Sequence, residues 1–409
     1  MNASRSRRIF SIGAATLLHS VSVLALQILA LVALTPSAFG RFSALYLFFA
    51  LSSSVLLSVV CEAWQRKMPH AEWREYSAAL TWISLLSAAL TVALCQFIPG
   101  FQSISYLGGI AIGFATYRTG ARYYALQQHQ LQWVLPGDLG GALILAAGWV
   151  VFLTADFGSD LSQGVVLLWA VSAFLSAALS KPPTSIRLSA IRWWLRRHRI
   201  EIRTLLGDSV LLDASAIGTP YALMPILGIP GFGIYRALSN VSGPVKLLLF
   251  PLRPLFSSYT ISQFARPLML AIMLSVGTAI GAICYACLVL IAALQLELGT
   301  LTALIQYAMP AAIFVSATFL NGVFYLVGRT HFSGRSLFAG RISTSLLGIL
   351  FPLVGALING LDGAIWCITF ATLLCALIWM LLSVLESKKV TSICASATAA
   401  DRNRVNEGG

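Results

Sequence analysis

KPPTSIRLSAIRWWLRRHRIEIR, Lys181–Arg203, is the longest connection between apolar runs in this 409-residue chain, and what flanks it decides the fold. A helix rises about 1.5 Å per residue and the hydrocarbon core of a bilayer is about 30 Å thick, so a span needs roughly 20 apolar residues. Six such runs precede the stretch, near 10–34, 43–64, 77–98, 104–125, 137–155 and 164–180. Six follow it, near 206–228, 233–256, 267–294, 301–327, 341–359 and 363–385. In lipid only helices or closed barrels satisfy every backbone group, and these runs lack the alternation of barrel strands. The sequence therefore predicts an all-α polytopic membrane protein. It divides into a six-helix bundle over 1–180, a basic amphipathic cytoplasmic linker over 181–205, a second six-helix bundle over 206–385 and a cytoplasmic tail over 386–409.

Composition agrees. Hydrophobic residues make up 58% of the chain and charged residues 10%, against about 25% charged in soluble domains. The net charge of +13 comes from 27 basic and 14 acidic residues. In a soluble chain it would suggest nucleic acid. Here 22 of the basic residues fall in the tails and even-numbered connections, seven of them between Lys181 and Arg203, while the odd-numbered connections hold only Arg41 and Arg236. Cytoplasmic loops of membrane proteins carry such an excess, so both termini are expected in the cytoplasm and no nucleic-acid partner is expected. The first span lacks a cleavage site and reads as retained.

The outward connections are at most about nine residues long, too short for the external loop of a lipid-linked glycosyltransferase or polymerase. There is no G-x-x-x-x-G-K-[ST], no H-E-x-x-H, no G-x-S-x-G and no Cys/His cluster with metal spacing. Cys284-x-x-Cys287 stands in an apolar run without a second ligand pair, so it reads as ordinary span residues. The chain is not expected to be an enzyme, nor to need a cofactor or metal.

The halves echo each other. Phe39-Gly40-Arg41-Phe42-Ser43-Ala44-Leu45 follows span 1 and Phe232-Gly233-Ile234-Tyr235-Arg236-Ala237-Leu238 follows span 7, a shared F-G-x-[FY]-x-A-L at one offset. Both open the second span of a six-span unit in the same orientation, which implies parallel repeats.

These motifs, with Arg118-Thr-Gly-Ala-Arg122-Tyr-Tyr-Ala-Leu in span 4, Gly137-Asp138 opening span 5 and Arg236-Ala-Leu-x-x-x-x-Gly243-Pro244 in span 8, carry a family resemblance. The chain resembles the polysaccharide (O-antigen-type) flippases of the multidrug/oligosaccharidyl-lipid/polysaccharide exporter superfamily. The resemblance implies two six-helix bundles in a V that rock around a central basic cavity. It also implies export of undecaprenyl-diphosphate-linked oligosaccharide from the inner to the outer leaflet of a bacterial inner membrane, for surface polysaccharide synthesis. Its partners would be the polyprenyl-linked glycan, membrane lipids, and the glycosyltransferases and polymerase of the same pathway. Lys246 departs from the pattern, standing where an uncharged residue is expected. A major-facilitator carrier is disfavoured because the connection AWQRKMPHAEWREY between spans 2 and 3 has no glycine.

Charges within spans cost about 2.5–3.5 kcal/mol on insertion scales, so each needs a reason. Arg118 and Arg122, one turn apart, put two planar forks on one face of span 4, suited to a diphosphate; snorkelling to headgroups is the alternative, above all for Arg122. Arg236, at the outer mouth of span 8, and Lys246, deep in the same span, complete a candidate diphosphate site. Asp213 in span 7 lies at a depth similar to Lys246 and would form with it either an ion pair or an ion-coupling site. His19, mid-span 1, reads as a packing residue or a proton relay. In the 181–203 linker Arg192, Arg196, Arg199 and Arg203 share one helical face beside Leu188, Ile191, Leu195 and Ile202, the pattern of an interfacial helix. The tail from Ser387 reads as polar and disordered. Two rivals to flipping stand: an ion-coupled drug or metabolite antiporter, whose cavity should be acidic, and a non-transporting scaffold for glycosyltransferases.

Overall fold

The computed structural model describes residues 3–66, 73–154, 161–184, 186–249 and 260–407. The described residues are helices and short connections without a strand, as a lipid-embedded backbone requires. In order they are α1 (Ala3–Ala33), α2 (Pro36–Leu56), a π-helical turn Leu57–Cys61, α3 (Glu62–Arg66), α4 (Trp73–Phe97), α5 (Ser105–Gln127), α6 (Leu135–Thr154) and α7 (Leu161–Ala178). Then come α8 (Leu188–Arg197), α9 (Arg199–Asp213), a second π-helical turn Ala214–Gly218, α10 (Thr219–Val241) and α11 (Gly243–Leu249). The chain ends with α12 (Ile261–Phe264), α13 (Pro267–Ala293), α14 (Gly299–Leu304), α15 (Ala308–His331) and α16 (Gly334–Glu407).

Among the described residues nine helical stretches are long and apolar enough to cross a membrane. Two of them hold more than one leg. Gly228 (φ 67, ψ 168) leaves helical geometry between Pro225 and Pro230 inside α10, and Asn359–Gly360 does so inside α16. α5 has a span's length, 23 residues, but carries two arginines. The chain is therefore an all-α polytopic membrane protein.

Two compact units divide it: Met1–Arg236 with Leu298–Ala303, and Ala237–Glu297 with Leu304–Gly409. In the first unit, Thr35 caps α2 by accepting from the Ala38 amide, and Pro36 opens the helix where its missing N–H costs nothing. The end of this unit that carries the 180–198 segment is closed by an aromatic cluster of Trp64, Trp73, Tyr76, Tyr124 and Trp194. Residues 180–184 and Ile186 are laid onto that end: the Trp73 Nε1–H donates to the Pro182 carbonyl (2.8 Å), the Tyr117 hydroxyl to Lys181 O (2.8 Å) and the Trp82 Nε1–H to Ile186 O (3.1 Å). In the second unit α15 is the central helix, and Val245, Leu249, Phe264, Phe319, Phe324 and Trp379 form the core around it.

Two expectations are corrected here. The linker is not one continuous amphipathic helix: it breaks at His198 (φ −105, ψ 17), so Arg192 and Arg196 lie on α8 while Arg199 and Arg203 lie on α9. The residue that turns inward is Trp194, fully buried, whereas Leu195 is exposed. An indole buries more apolar area than a leucine and its N–H finds an acceptor, Val59 O, at 2.9 Å. Likewise the backbone of α16 stays helical to Glu407 through the segment expected to be disordered; Ala395, Ala397, Ala399 and Ala400 supply the helix propensity that polarity obscured.

Candidate functional site

The two repeated Phe-Gly motifs meet in the first unit. Phe39 and Phe232 are both fully buried. A methyl group built on Gly40 would overlap the Ile229 carbonyl, and one built on Gly233 would overlap the Pro36 carbonyl and approach the Gly40 amide. Each motif uses its glycine to let the other's backbone in. The repeat read from the sequence is thus a contact, with small residues at the crossing as membrane helices require.

That junction sets the place of Arg236. The titratable groups that act on its guanidinium are three tyrosines: Tyr235 beside it, Tyr46 on α2 and Tyr221 on α10. The Tyr221 hydroxyl donates to Ala44 O (2.7 Å). Tyr46 also lies among Phe42, Phe49 and Trp169, with ring centroids 5.6–6.1 Å apart. Among the described residues Arg236 forms no ion pair, and its Nε–H is buried without an acceptor. Arg236 is thus a half-buried guanidinium with phenols, and among the described residues no carboxylate, as the titratable groups acting on it.

Arg118 and Arg122 meet the opposite fate. The one-turn spacing puts both on the face of α5 that looks at α6, as the sequence predicts, and both reach the same carboxylate. Buried Arg118 donates from Nη2 to Asp138 Oδ1 (2.6 Å) and Val134 O (2.7 Å), and from Nη1 to Ser180 Oγ (2.7 Å) and Trp133 O (3.3 Å). Arg122 donates from Nε to Asp138 Oδ2 (3.2 Å). The Asp138 side chain is fully buried. Gly137 makes the approach feasible, since a Cβ there would lie 2.7 Å from the Arg118 guanidinium carbon. His19 closes the cluster from α1, with Nδ1 3.7 Å from Asp138 Oδ1. Two guanidiniums against one carboxylate leave one positive charge while His19 is neutral.

A cavity of about 80 Å³ reaches from this cluster to the aromatic wall, lined by His19, Tyr46, Arg118, Asp138, Trp169 and Ser172 among others. Ligand pockets are typically about 300–1,000 Å³, so this one has room for an ion or a few waters and not for a sugar chain. Among the described residues no group of His, Cys, Asp and Glu could hold a metal ion.

The remaining site expectations are placed as follows. Asp213 ends α9, half-buried, with no ion pair among the described residues. The side chain of Lys246 lies outside the described residues. The structure therefore gathers His19, Arg118 and Arg122 at one place and holds Arg236 at another. Sequence reasoning missed Asp138 as organiser, quoting it only within a motif; the arginine pair, which must find a counter-charge in low dielectric, was the signal for it.

A class follows: a polytopic α-helical protein with two packed repeat motifs and charges buried inside one unit. No protein-family model and no curated protein matches the sequence. Solved structures do match in fold. A multidrug resistance MATE family transporter of the MOP superfamily, in an inward-facing conformation, is similar at a TM-score of 0.57 and 12% identity, over 91% of this chain and 96% of that one. The lipid II flippase MurJ, in an inward closed conformation, is similar at 0.58 and 12% identity, over 94% and 92%. The chain thus has, along nearly its full length, the fold these two proteins share.

Proposed function

We propose that this protein is a flippase that moves a polyprenyl-diphosphate-linked oligosaccharide from the inner to the outer leaflet of a bacterial cytoplasmic membrane. The observation that carries the reading is Arg236: a guanidinium among Tyr46, Tyr221 and Tyr235 with no ion pair among the described residues. A half-buried guanidinium whose Nε–H is buried without an acceptor, and which has no carboxylate partner among the described residues, is costly and is best explained by an anion that visits it. A planar fork suits a diphosphate, and phenolic hydroxyls suit its remaining oxygens. Arg118 and Arg122 stand apart from Arg236: Asp138 neutralises one of them, and the remaining charge makes the small cavity beside them electropositive. A membrane potential of 100 mV supplies about 2.3 kcal/mol per charge moved, so no bound cofactor is required. Glycosyltransferases and a polymerase of the same pathway are the proteins that would supply and use such a substrate.

A second reading has its own support. The small cavity with a buried acid and His19 at its edge fits an ion-coupled antiporter, and one of the fold relatives is a multidrug resistance transporter.

Leaflet-resolved measurement of undecaprenyl-linked oligosaccharide separates the two. Cells lacking the gene should accumulate it on the cytoplasmic face, and the wild-type copy should reverse this. Arg236→Ala should fail to complement while inserting normally, and Arg236→Lys should restore part of the flux. An unchanged leaflet distribution, with altered sensitivity to cationic drugs, would move the assignment to the antiporter.

A further inference from the structure

Segment 186–203 is anchored on one side and unusual on the other. Trp194 is the anchor. Its indole is fully buried against Tyr76 (centroids 6.1 Å) and His198 (4.3 Å), and its N–H is held by the Val59 carbonyl at 2.9 Å. Val59 belongs to the π-helical turn Leu57–Cys61 that ends α2; such turns interrupt a helix mostly where it does something besides support.

The outward side carries Arg187, Arg192, Arg196, Arg197, Arg199 and Arg203, all exposed, against a single acid, Glu201. Among these arginines stand large apolar side chains that nothing in the unit covers: Ile186 (59% exposed), Trp193 (38%), Leu195 (43%) and Ile200 (68%). The Arg197 guanidinium lies over the Trp193 ring, 4.6 Å from its centroid. A surface meant for water would not display two isoleucines and an indole, and a surface meant for lipid tails would not display six arginines. Both together fit the headgroup layer, where rings and aliphatic side chains reach the acyl boundary while guanidiniums stay among phosphates. The positive-inside bias puts this layer on the cytoplasmic leaflet, whose anionic lipids complement the charge.

We propose that α8 and its flanks form a binding surface for the headgroups of anionic phospholipids, locked to the transport unit through Trp194. The exposed apolar side chains favour a lipid surface over a soluble polyanion. This surface is distinct from Arg236, and its test does not depend on what the protein transports.

The test uses the full-length protein, purified in detergent, stripped of lipid and titrated with phosphatidylglycerol or phosphatidylcholine, with bound lipid counted by native mass spectrometry. Phosphatidylglycerol should bind at least about a hundredfold more tightly than phosphatidylcholine, roughly fivefold for each of three arginines, and salt should narrow the gap because the contacts are exposed. Combined Arg192→Gln, Arg196→Gln and Arg199→Gln should weaken phosphatidylglycerol by roughly fivefold per arginine and leave phosphatidylcholine unchanged. The matching lysine triple should keep most of the preference, since charge rather than fork geometry is being read. Glutamines at Arg329, Arg335 and Lys388, basic residues elsewhere in the chain, should have no effect. Equal affinity for the two lipids, or a glutamine triple that binds phosphatidylglycerol like wild type, would overturn the proposal. Competition by soluble glycerol phosphate or a short RNA as strong as by phosphatidylglycerol would overturn it too, in favour of a polyanion patch.

Discussion

Asp138 is the residue on which the first unit's electrostatics turn. Its two oxygens are each taken by a different guanidinium, and among the described residues nothing else acidic is paired with Arg118. Asp138→Asn leaves Arg118 buried with its charge intact, a change that typically costs about 3–5 kcal/mol. The expected outcome is a clearly lower midpoint of thermal unfolding in detergent. Adding Arg118→Met should recover much of the loss, because the orphaned charge is then gone. Arg122→Ala should cost far less, since Arg122 is partly exposed and makes two long contacts, to Asp138 (3.2 Å) and to Thr16 (3.5 Å). A wild-type midpoint for Asp138→Asn would show that the pairing adds nothing net to stability. At this scale the sequence told half the story: helical spacing showed that Arg118 and Arg122 share a face, but not what that face looks at. Their partner sits in the first turn of α6, where an acid reads as a cheap helix-end residue, and only packing shows it to be buried.

Among elements, the crossing of the two Phe-Gly motifs is the most constrained. Gly40→Ala and Gly233→Ala each push a methyl into a backbone carbonyl rather than into a flexible side chain. Overpacking of this kind costs about 1–3 kcal/mol, more when backbone must move. Either variant should lower the yield of monodisperse protein in gel filtration, whereas Gly164→Ala, where nothing lies within 4 Å, should not. Equal yields for all three would show that the crossing relaxes freely. The motif was visible as a repeat because a tight crossing leaves a glycine and an aromatic at fixed spacing. The linker was less legible. A helical projection weighs Leu195 and Trp194 alike, and the break at His198 comes from the docking of Trp194 onto the aromatic cluster, which no local pattern encodes. Trp194→Phe keeps a ring and removes one hydrogen bond, to Val59 O, so it should cost about 1 kcal/mol in the same unfolding measurement.

At the scale of the whole chain, hydropathy and charge carry most of the information, because the bilayer imposes length and sidedness on every helix alike. They fail where a helix departs from uniform apolarity: α5 has the length of a span but spends hydropathy on its two arginines, and α16 conceals a reversal at Asn359–Gly360. Sidedness is directly testable. With the seven cysteines replaced, Ser103→Cys, beside the short turn before α5, should react with an impermeant maleimide in intact spheroplasts. Ser189→Cys on α8 and Ser333→Cys between α15 and α16 should react only after permeabilisation. All three positions are exposed, so failure to label reports the membrane and not burial. The last two are the decisive pair. Between them, among the described residues, lie the leg before Gly228, the leg after it, α13 and α15, four crossings. Ser189→Cys and Ser333→Cys are therefore expected to label from the same side. Labelling from opposite sides would mean that the bend at Gly228 does not return the chain through the membrane. Arg236 would then be carried away from Tyr46, and the site built on their proximity would fall with it.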